Sequence, residues 1–244
     1  MKIFKNKVFF YVVFFVLLLA VFYAFVFSDY DFNASSLKVI NPAVPAFKFT
    51  SQDGTPVTQR NTDDRVYVAE YFFTSCKGIC PKMNTNMRRV YDAYKDENDF
   101  LILSHTCMPE TDSVPVMKAY EEKMLKGNLV KNADGSYKFE QNPAAPMPAN
   151  KNWYFLTGTK DDLYRMARQG YLIDNGNADS TQRIEDQFIH TQFFALVDRY
   201  RRVRGIYDGL KDAEIEKLIS DIKGLLKEKV DHTRFMNGFS NSPS

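Results

Sequence analysis

The sequence predicts an α/β fold preceded by one transmembrane helix. Short apolar strands alternate with segments whose apolar residues recur at helical spacing, and a long run without charge lies near the N-terminus. The chain has 244 residues, of which 45% are hydrophobic and 25% charged. This is enough for one sizeable globular domain with an appendage.

The appendage is the uncharged run over residues 8–27, long enough to span a bilayer as a helix. Lysines precede it and aspartates follow it, so the positive-inside rule predicts a single-pass anchor with a cytoplasmic N-terminus. The rest of the chain is then on the periplasmic side of a bacterial-type inner membrane. A cleaved signal peptide is the alternative, but the run ends in Phe25-Val26-Phe27 rather than in small residues. We assign residues 1–28 to the anchor and 29–45 to a tether.

The charge balance argues against a nucleic-acid partner. Without the three lysines that precede the anchor, 29 of the 32 basic residues remain and nearly balance the 30 acidic ones. No basic stripe is visible in the exported part, and a nucleic-acid surface needs one.

The globular domain is predicted over residues 46–230, with an insertion at 126–150 and a flexible tail at 231–244. Strands are predicted at 47–49, 66–73, 100–105, 153–158, 188–198 and 202–208, and helices after Cys80 and at 114–125, 160–168 and 213–227. Asp112 or Ser113 is the expected cap of the helix at 114–125, and Gly170 is expected to close the helix at 160–168. The insertion reads as an exposed loop or small hairpin. This order of strands and helices is thioredoxin-like.

Two cysteines, Cys76 and Cys80, lie where an apolar strand meets a helix. Positions i and i+4 share one face of such a turn, so the two sulfurs can meet as a disulfide or as ligands of one soft metal. The helix start and Lys77 predict a lowered pKa for at least one thiol. The spacing is wider than Cys-x-x-Cys and suits a metal chelate at least as well as a dithiol shuttle. Two buried packing cysteines are the alternative.

Two histidines differ in their setting. His190 begins an apolar strand after a polar stretch, and together with two thiolates it completes the sulfur and imidazole set that copper accepts. A hydrogen-bonded structural histidine is the alternative. His232 lies in the polar tail and is expected to be solvated.

The third cysteine, Cys107, makes the count odd, so at least one thiol is free, metal-bound or paired between molecules. His105, Cys107 and Met108 form a possible second cluster of soft ligands. On a strand, however, His105 and Cys107 share one face while Met108 points to the other, which argues against this cluster.

Several blocks of the sequence together resemble the Sco/SenC family. They are 71–76, 80–83, 109–113, 153–158, 190–198 and 204–209, in the family's order. The resemblance implies a thioredoxin fold, a membrane anchor, and copper held by Cys76, Cys80 and His190. It also implies a role in maturing the binuclear copper site of cytochrome c oxidase, with the oxidase copper-site subunit or other copper chaperones as partners.

Two features depart from the family pattern. Met108 stands where members usually have an aspartate before the Pro-Glu pair, and the insertion at 126–150 is additional. Three functions stay open: a metallochaperone for copper, an exported thiol-disulfide oxidoreductase using Cys76 and Cys80 as a redox pair, and a redox or copper sensor without catalysis. His190 separates the first two, because copper binding uses it and dithiol exchange does not.

Overall fold

The computed structural model describes residues 7–27, 37–174 and 191–228. The helices are α1 Lys7–Phe27, α2 Cys80–Tyr94, α3 Val114–Leu125, α4 Lys160–Arg165 and α5 Asp212–Lys227. The strands are β1 Lys48–Ser51, β2 Pro56–Thr58, β3 Val66–Phe72, β4 Phe100–Thr106, β5 Gly127–Lys131, β6 Tyr137–Gln141, β7 Trp153–Thr157, β8 Phe193–Val197 and β9 Val203–Asp208. The predicted strands and helices of the domain are therefore present, although several ends are displaced.

Seven strands form one mixed sheet in the order β2-β1-β7-β4-β3-β8-β9. β3 pairs parallel to β4, and β4 pairs parallel to β7, whereas β8 runs antiparallel to β3. Every residue of β3 and β4 is buried. Burial on both faces explains why these two strands read as continuous apolar runs rather than as alternating patterns.

The sheet separates two hydrophobic cores. Alternate residues of β3 point to opposite sides, so Val68 and Phe72 pack with α2, α3 and α5, while Tyr67 and Tyr71 pack with α4 and the segment after it. α2 contributes Met83, Met87, Val90, Tyr91 and Tyr94 to the first core, the residues whose helical spacing predicted it. β3 is followed by residues 73–79, the turn before α2 that carries Cys76, which we call the cysteine turn.

The helix after β7 differs from the prediction. α4 continues beyond Arg165 into a π-helical turn at Met166–Tyr171, and the left-handed residue that ends it is Leu172, with φ 57°. Gly170 does not close the helix. A Cβ at Gly170 would lie 2.4 Å from the Met166 sulfur and 3.3 Å from the Pro45 ring, so a larger residue would require the Met166 side chain to shift. Ser113 occupies the N-cap of α3, but its side chain makes no capping hydrogen bond.

The insertion forms a hairpin of β5 and β6, as one of the two predicted forms of this segment. It turns at Gly135, whose φ of +86° favours glycine. The Arg88 guanidinium on α2 donates to the backbone oxygens of Met124 and Leu125 at 2.7 and 3.2 Å and stands 5.3 Å from the centre of the Phe139 ring. The hairpin is therefore fastened to the helix that begins at Cys80.

The end of the predicted tether lies along β9. The backbone nitrogens of Ile40 and Val44 donate to the oxygens of Val203 and Arg201, each at 2.8 Å. At the N-terminus, α1 is one continuous helix. No membrane-spanning helix is identified among the described residues, and the anchor stays a prediction.

Candidate metal centre

The two predicted thiols lie on the turn between β3 and α2. β3 ends at Phe72, and Cys80 is the first residue of α2, which begins behind Ile79. The backbone nitrogen of Cys76 donates to the oxygen of Phe73 at 3.2 Å, which curls the chain back below the strand end. Pro81 lies in the first turn of α2, where a proline is favoured because the N–H that it lacks would have no partner in the helix.

Both cysteines are reduced, and they line one cavity of about 320 Å³, which we call the thiol cavity. Cys76 is half-buried, whereas Cys80 is only 5% exposed. The other described lining residues are Tyr71, Phe72, Phe73, Lys77, Gly78, Ile79, Cys107 and Thr191. The structure therefore brings the Cys76–Cys80 pair together, as the sequence predicted.

The pKa of the Cys80 thiol is raised well above its ordinary value. Burial is the main cause, and the neighbouring Cys76 thiol and the carboxyl of Glu70 act in the same direction. The lowered pKa that we expected for at least one thiol is therefore not that of Cys80. The expectation counted the favourable field of the helix start but not the cost of burying the charge. A bound cation would supply the missing compensation for a thiolate at this position.

Glu70 is a buried carboxyl that the motif analysis did not single out. It is 1% exposed on β3, and its Oε1 accepts from the Ser104 hydroxyl at 2.6 Å, which in turn accepts from the Trp153 indole at 2.8 Å. Burial raises the pKa of Glu70 to about 8. Its signal in the sequence is a charged residue inside an otherwise apolar strand.

Asp112 ties the cysteine turn to the end of β4. Its carboxylate is 1% exposed and accepts from the Thr74 backbone at 3.2 Å, the Thr74 hydroxyl at 2.5 Å and the Thr106 hydroxyl at 2.5 Å. Asp112, not the position of Met108, thus supplies the carboxylate that holds the turn. The sequence placed it beside a helix start, where its actual partners could not be inferred.

Two residues of the suggested second cluster, His105 and Cys107, are engaged in other contacts. The His105 ring stacks on Tyr71 at a centroid distance of 5.1 Å, and its Nε2 lies 3.2 Å from the Tyr171 hydroxyl. Burial lowers the pKa of His105 to about 3. Cys107 lines the thiol cavity, but its Sγ donates to the Phe72 oxygen at 3.2 Å, and burial raises its pKa to about 12.

Within the described ranges, no group of three His, Cys, Asp or Glu side chains is placed to hold a metal ion. This finding includes His105 and the three cysteines. His190 and His232 lie outside the described residues. Thr191, which follows His190 in the sequence, lines the thiol cavity and donates its hydroxyl to the Ile173 oxygen at 2.5 Å.

Fold and site together define a thioredoxin-like protein with a reduced cysteine pair where a central strand meets its helix. A model of the SCO1/SenC family matches residues 38–136 and 144–227. The chain therefore belongs to the SCO1/SenC family, and the resemblance seen in the sequence is confirmed. Of the insertion predicted at 126–150, the match omits only residues 137–143, which contain β6, so most of this segment lies within the family match.

Similar proteins agree with this assignment. A SCO1 protein homolog of Bacillus subtilis strain 168 is 28% identical over 187 residues, covering 75% of this chain and 83% of the relative. A structure of BsSco, described as a Sco-family cytochrome c oxidase assembly protein with a disulfide switch, is 26% identical with a TM-score of 0.57. It covers 79% of this chain and 98% of its own.

A third relative was solved with copper bound. This protein, ScoI of Bradyrhizobium japonicum, is 18% identical with a TM-score of 0.51, covering 75% of this chain and 99% of its own. At this identity the likeness supports the thioredoxin-like α/β fold of the chain.

Proposed function

We propose that this chain binds copper and delivers it to, or otherwise matures, the binuclear copper site of cytochrome c oxidase. The observation that carries the proposal is the reduced Cys76–Cys80 pair, with both thiols lining one cavity at the start of α2. Membership of the SCO1/SenC family supports it, since relatives include a cytochrome c oxidase assembly protein and a copper-bound structure.

The proposed ligands are Cys76, Cys80 and His190. Two thiolates are the donors that a soft cation such as Cu(I) selects, and an imidazole extends the set toward Cu(II). The position of Thr191 in the cavity wall supports the choice of its neighbour His190 as the third ligand. Copper is the cargo in this proposal, and the buried Cys80 releases its proton when the metal binds.

The redox state of the pair would act as a switch for this cargo. A disulfide between Cys76 and Cys80 would withdraw both sulfurs from the metal, so copper and the disulfide exclude each other. Asp112 would keep the turn in place in either state through its hydrogen bonds to Thr74.

The test is a copper titration of the full chain in detergent micelles under reducing conditions, against a competing chelator. We expect one copper per chain. His190→Ala should weaken Cu(II) binding by about a hundredfold and Cu(I) binding by roughly tenfold or less, because Cu(I) keeps its two thiolates. His232→Ala is the matched control and should bind like the parent. Parent-like binding of both oxidation states by His190→Ala would eliminate the three-ligand site.

A thiol-disulfide oxidoreductase is the second candidate. One observation favours it: Cys76 is half-buried and Cys80 fully buried, the asymmetry expected of an attacking thiol and the thiol that resolves the mixed disulfide. Cells that carry His190→Ala and are grown at low copper discriminate the two functions. Normal assembly of active oxidase in these cells would favour the oxidoreductase.

We also propose that residues 8–27 anchor the chain in a bacterial-type inner membrane, with the domain on the periplasmic side. The support is the charge asymmetry of the sequence and the exposed apolar side chains along α1, whose 21 residues extend for about 31 Å. A reporter fused after Gly238 should be active only outside the cytoplasm. The full-length chain should stay in washed membranes. A shortened protein in the soluble fraction after washing would contradict an uncleaved anchor.

A further inference from the structure

The inserted hairpin forms one wall of a second cavity beside the cysteine pair. This hairpin cavity, of about 250 Å³, lies between Thr74 and Cys76 on the cysteine turn, Tyr120 and Lys123 on α3, and Phe139 and Gln141 on β6. Cys76 also lines the thiol cavity. The half-buried thiol therefore stands at the junction of two cavities, and a molecule in the hairpin cavity would lie next to it.

The hairpin wall is held against α2 by two arginine side chains. Arg89 on α2 lies over the Tyr137 ring at 4.2 Å, and the Gly127 oxygen accepts from Arg88 at 3.3 Å. Gly127 lies against the opposite strand so closely that a Cβ there would be 2.3 Å from the Glu140 oxygen. Because α2 begins at Cys80, the hairpin packs on the helix that directly follows the turn with Cys76.

The floor of the hairpin cavity is equally ordered. The Tyr120 ring stacks on Phe72 at 5.0 Å, and the Asn84 side chain donates to its hydroxyl. Tyr120 is 7% exposed, and the Thr74 hydroxyl donates to Asp112 at 2.5 Å, so both lining side chains are fixed by contacts within the domain. The combination of an apolar floor with polar edges suits a peptide segment rather than a bulky apolar ligand.

The charges at the two cavities have one sign. Among the described residues, Lys123 is the only charged side chain that lines the hairpin cavity, and Lys77 is the only charged side chain that lines the thiol cavity. Both lysines are exposed, and neither makes an ion pair within the described part of the chain. An anionic occupant would complement this pair of lysines.

We infer that the hairpin cavity docks an extended acidic segment of the protein that exchanges copper or thiols with Cys76. The inference rests on the proposed function, because the partner must bring its own ligands to this thiol. It also assigns a role to β6, which supplies Phe139 and Gln141 and falls in the stretch 137–143 that the family match omits. β6 thus contributes to a proposed partner surface from outside the residues that the family model matches, whereas β5 lies within them.

The test uses the reduced full chain in micelles of neutral detergent and two dye-labelled peptides of nine residues, followed by fluorescence anisotropy. One peptide carries four carboxylates, the other four lysines, and both have serine at the centre so that no disulfide forms. The parent should bind the acidic peptide about three- to tenfold more tightly than the basic one. Lys123→Glu should abolish or reverse this preference, and Phe139→Ala should weaken binding of the acidic peptide.

Lys131→Glu is the matched control, since it makes the same charge change on exposed β5 outside the cavity lining. It should keep the preference of the parent within about twofold. An equal loss in Lys131→Glu and Lys123→Glu would overturn the docking site, as would a parent without preference. Copper titration separates the two proposals: Lys123→Glu should bind copper like the parent. A parent that binds the acidic peptide but no copper would refute the function and leave the docking site standing.

Discussion

Cys76 and Cys107 line the same cavity, yet they differ in exposure and in their place in the fold. Cys76 is half-buried on a turn between two elements, while Cys107 is 2% exposed at the end of β4. The Phe72 oxygen accepts both the Cys107 backbone nitrogen at 2.9 Å and its thiol at 3.2 Å. The same side chain is thus buried and hydrogen-bonded to the backbone in Cys107 but partly open to solvent in Cys76.

The comparison teaches that residue type alone does not define a metal site. The end of β4 offers imidazole, thiol and thioether in four residues, but His105 is packed between aromatic rings and Cys107 donates to the backbone. The cysteine turn offers fewer ligands in sequence, but Cys76 and Cys80 both line the thiol cavity and Cys76 is half-buried. Accessibility and free donor atoms decide between the two regions.

The largest expected effect comes from replacing the cysteines by serine one at a time. Cys76→Ser or Cys80→Ser should lower Cu(I) affinity at least about a thousandfold, because one of two thiolates is lost. Cys107→Ser should change it by less than about threefold. A competition titration with a chromogenic Cu(I) chelator measures all three. Comparable losses in Cys107→Ser and Cys76→Ser would show that the two regions form one site.

How much of this site the sequence predicts depends on the range of the interactions involved. The strand, the turn and the helix around Cys76 and Cys80 follow from local pattern, since burial and periodicity act within a few residues. The raised pKa of Cys80 does not follow from local pattern. It comes from burial and from the carboxyl of Glu70, which comes near the thiol only in the folded chain. The same holds for Asp112, whose partner Thr74 is 38 residues away.

The fold shows the same division. The positions of β3, β4 and α3 match their apolar patterns, whereas the end of the helix after β7 does not. Gly170 is the residue type that often ends a helix, but in the fold it lies inside the helical segment and close to the Met166 side chain. Leu172 adopts the left-handed conformation instead, which no propensity indicates for a leucine.

A smaller effect concerns the buried histidine of the β4 region. Burial lowers the pKa of His105 from 6.5 to about 3, so the unfolded chain binds a proton in this interval and the folded chain does not. The free energy of unfolding should therefore fall as the pH falls below 6.5, by about 1.4 kcal/mol per pH unit down to about pH 3. Glu70, with its raised pKa, acts in the opposite sense but equally in parent and variant.

His105→Phe isolates this contribution. Between pH 7 and pH 5 the parent should lose about 2 kcal/mol more stability than the variant, as measured by urea unfolding of the full chain in micelles. His232→Phe should follow the parent. If His105→Phe retains the acid sensitivity of the parent, His105 is not the group that takes up the proton on unfolding. The comparison of the two regions would then lose its account of the buried histidine.

The smallest effect tests how independently the two regions behave, because Asp112 touches both. Its carboxylate accepts from Thr74 on the cysteine turn and from Thr106 beside Cys107. Asp112→Asn preserves the shape but turns one acceptor into a donor, so at least one of these hydroxyls must find another partner. We expect a loss of roughly 1 to 1.5 kcal/mol in stability and of about fivefold in Cu(I) affinity.

Asp53→Asn, at an exposed carboxylate that pairs with Lys118, is the control and should change neither quantity measurably. Lost stability with unchanged copper affinity would mean that the cysteine turn holds its geometry without β4, and that the two ends of the thiol cavity are mechanically separate.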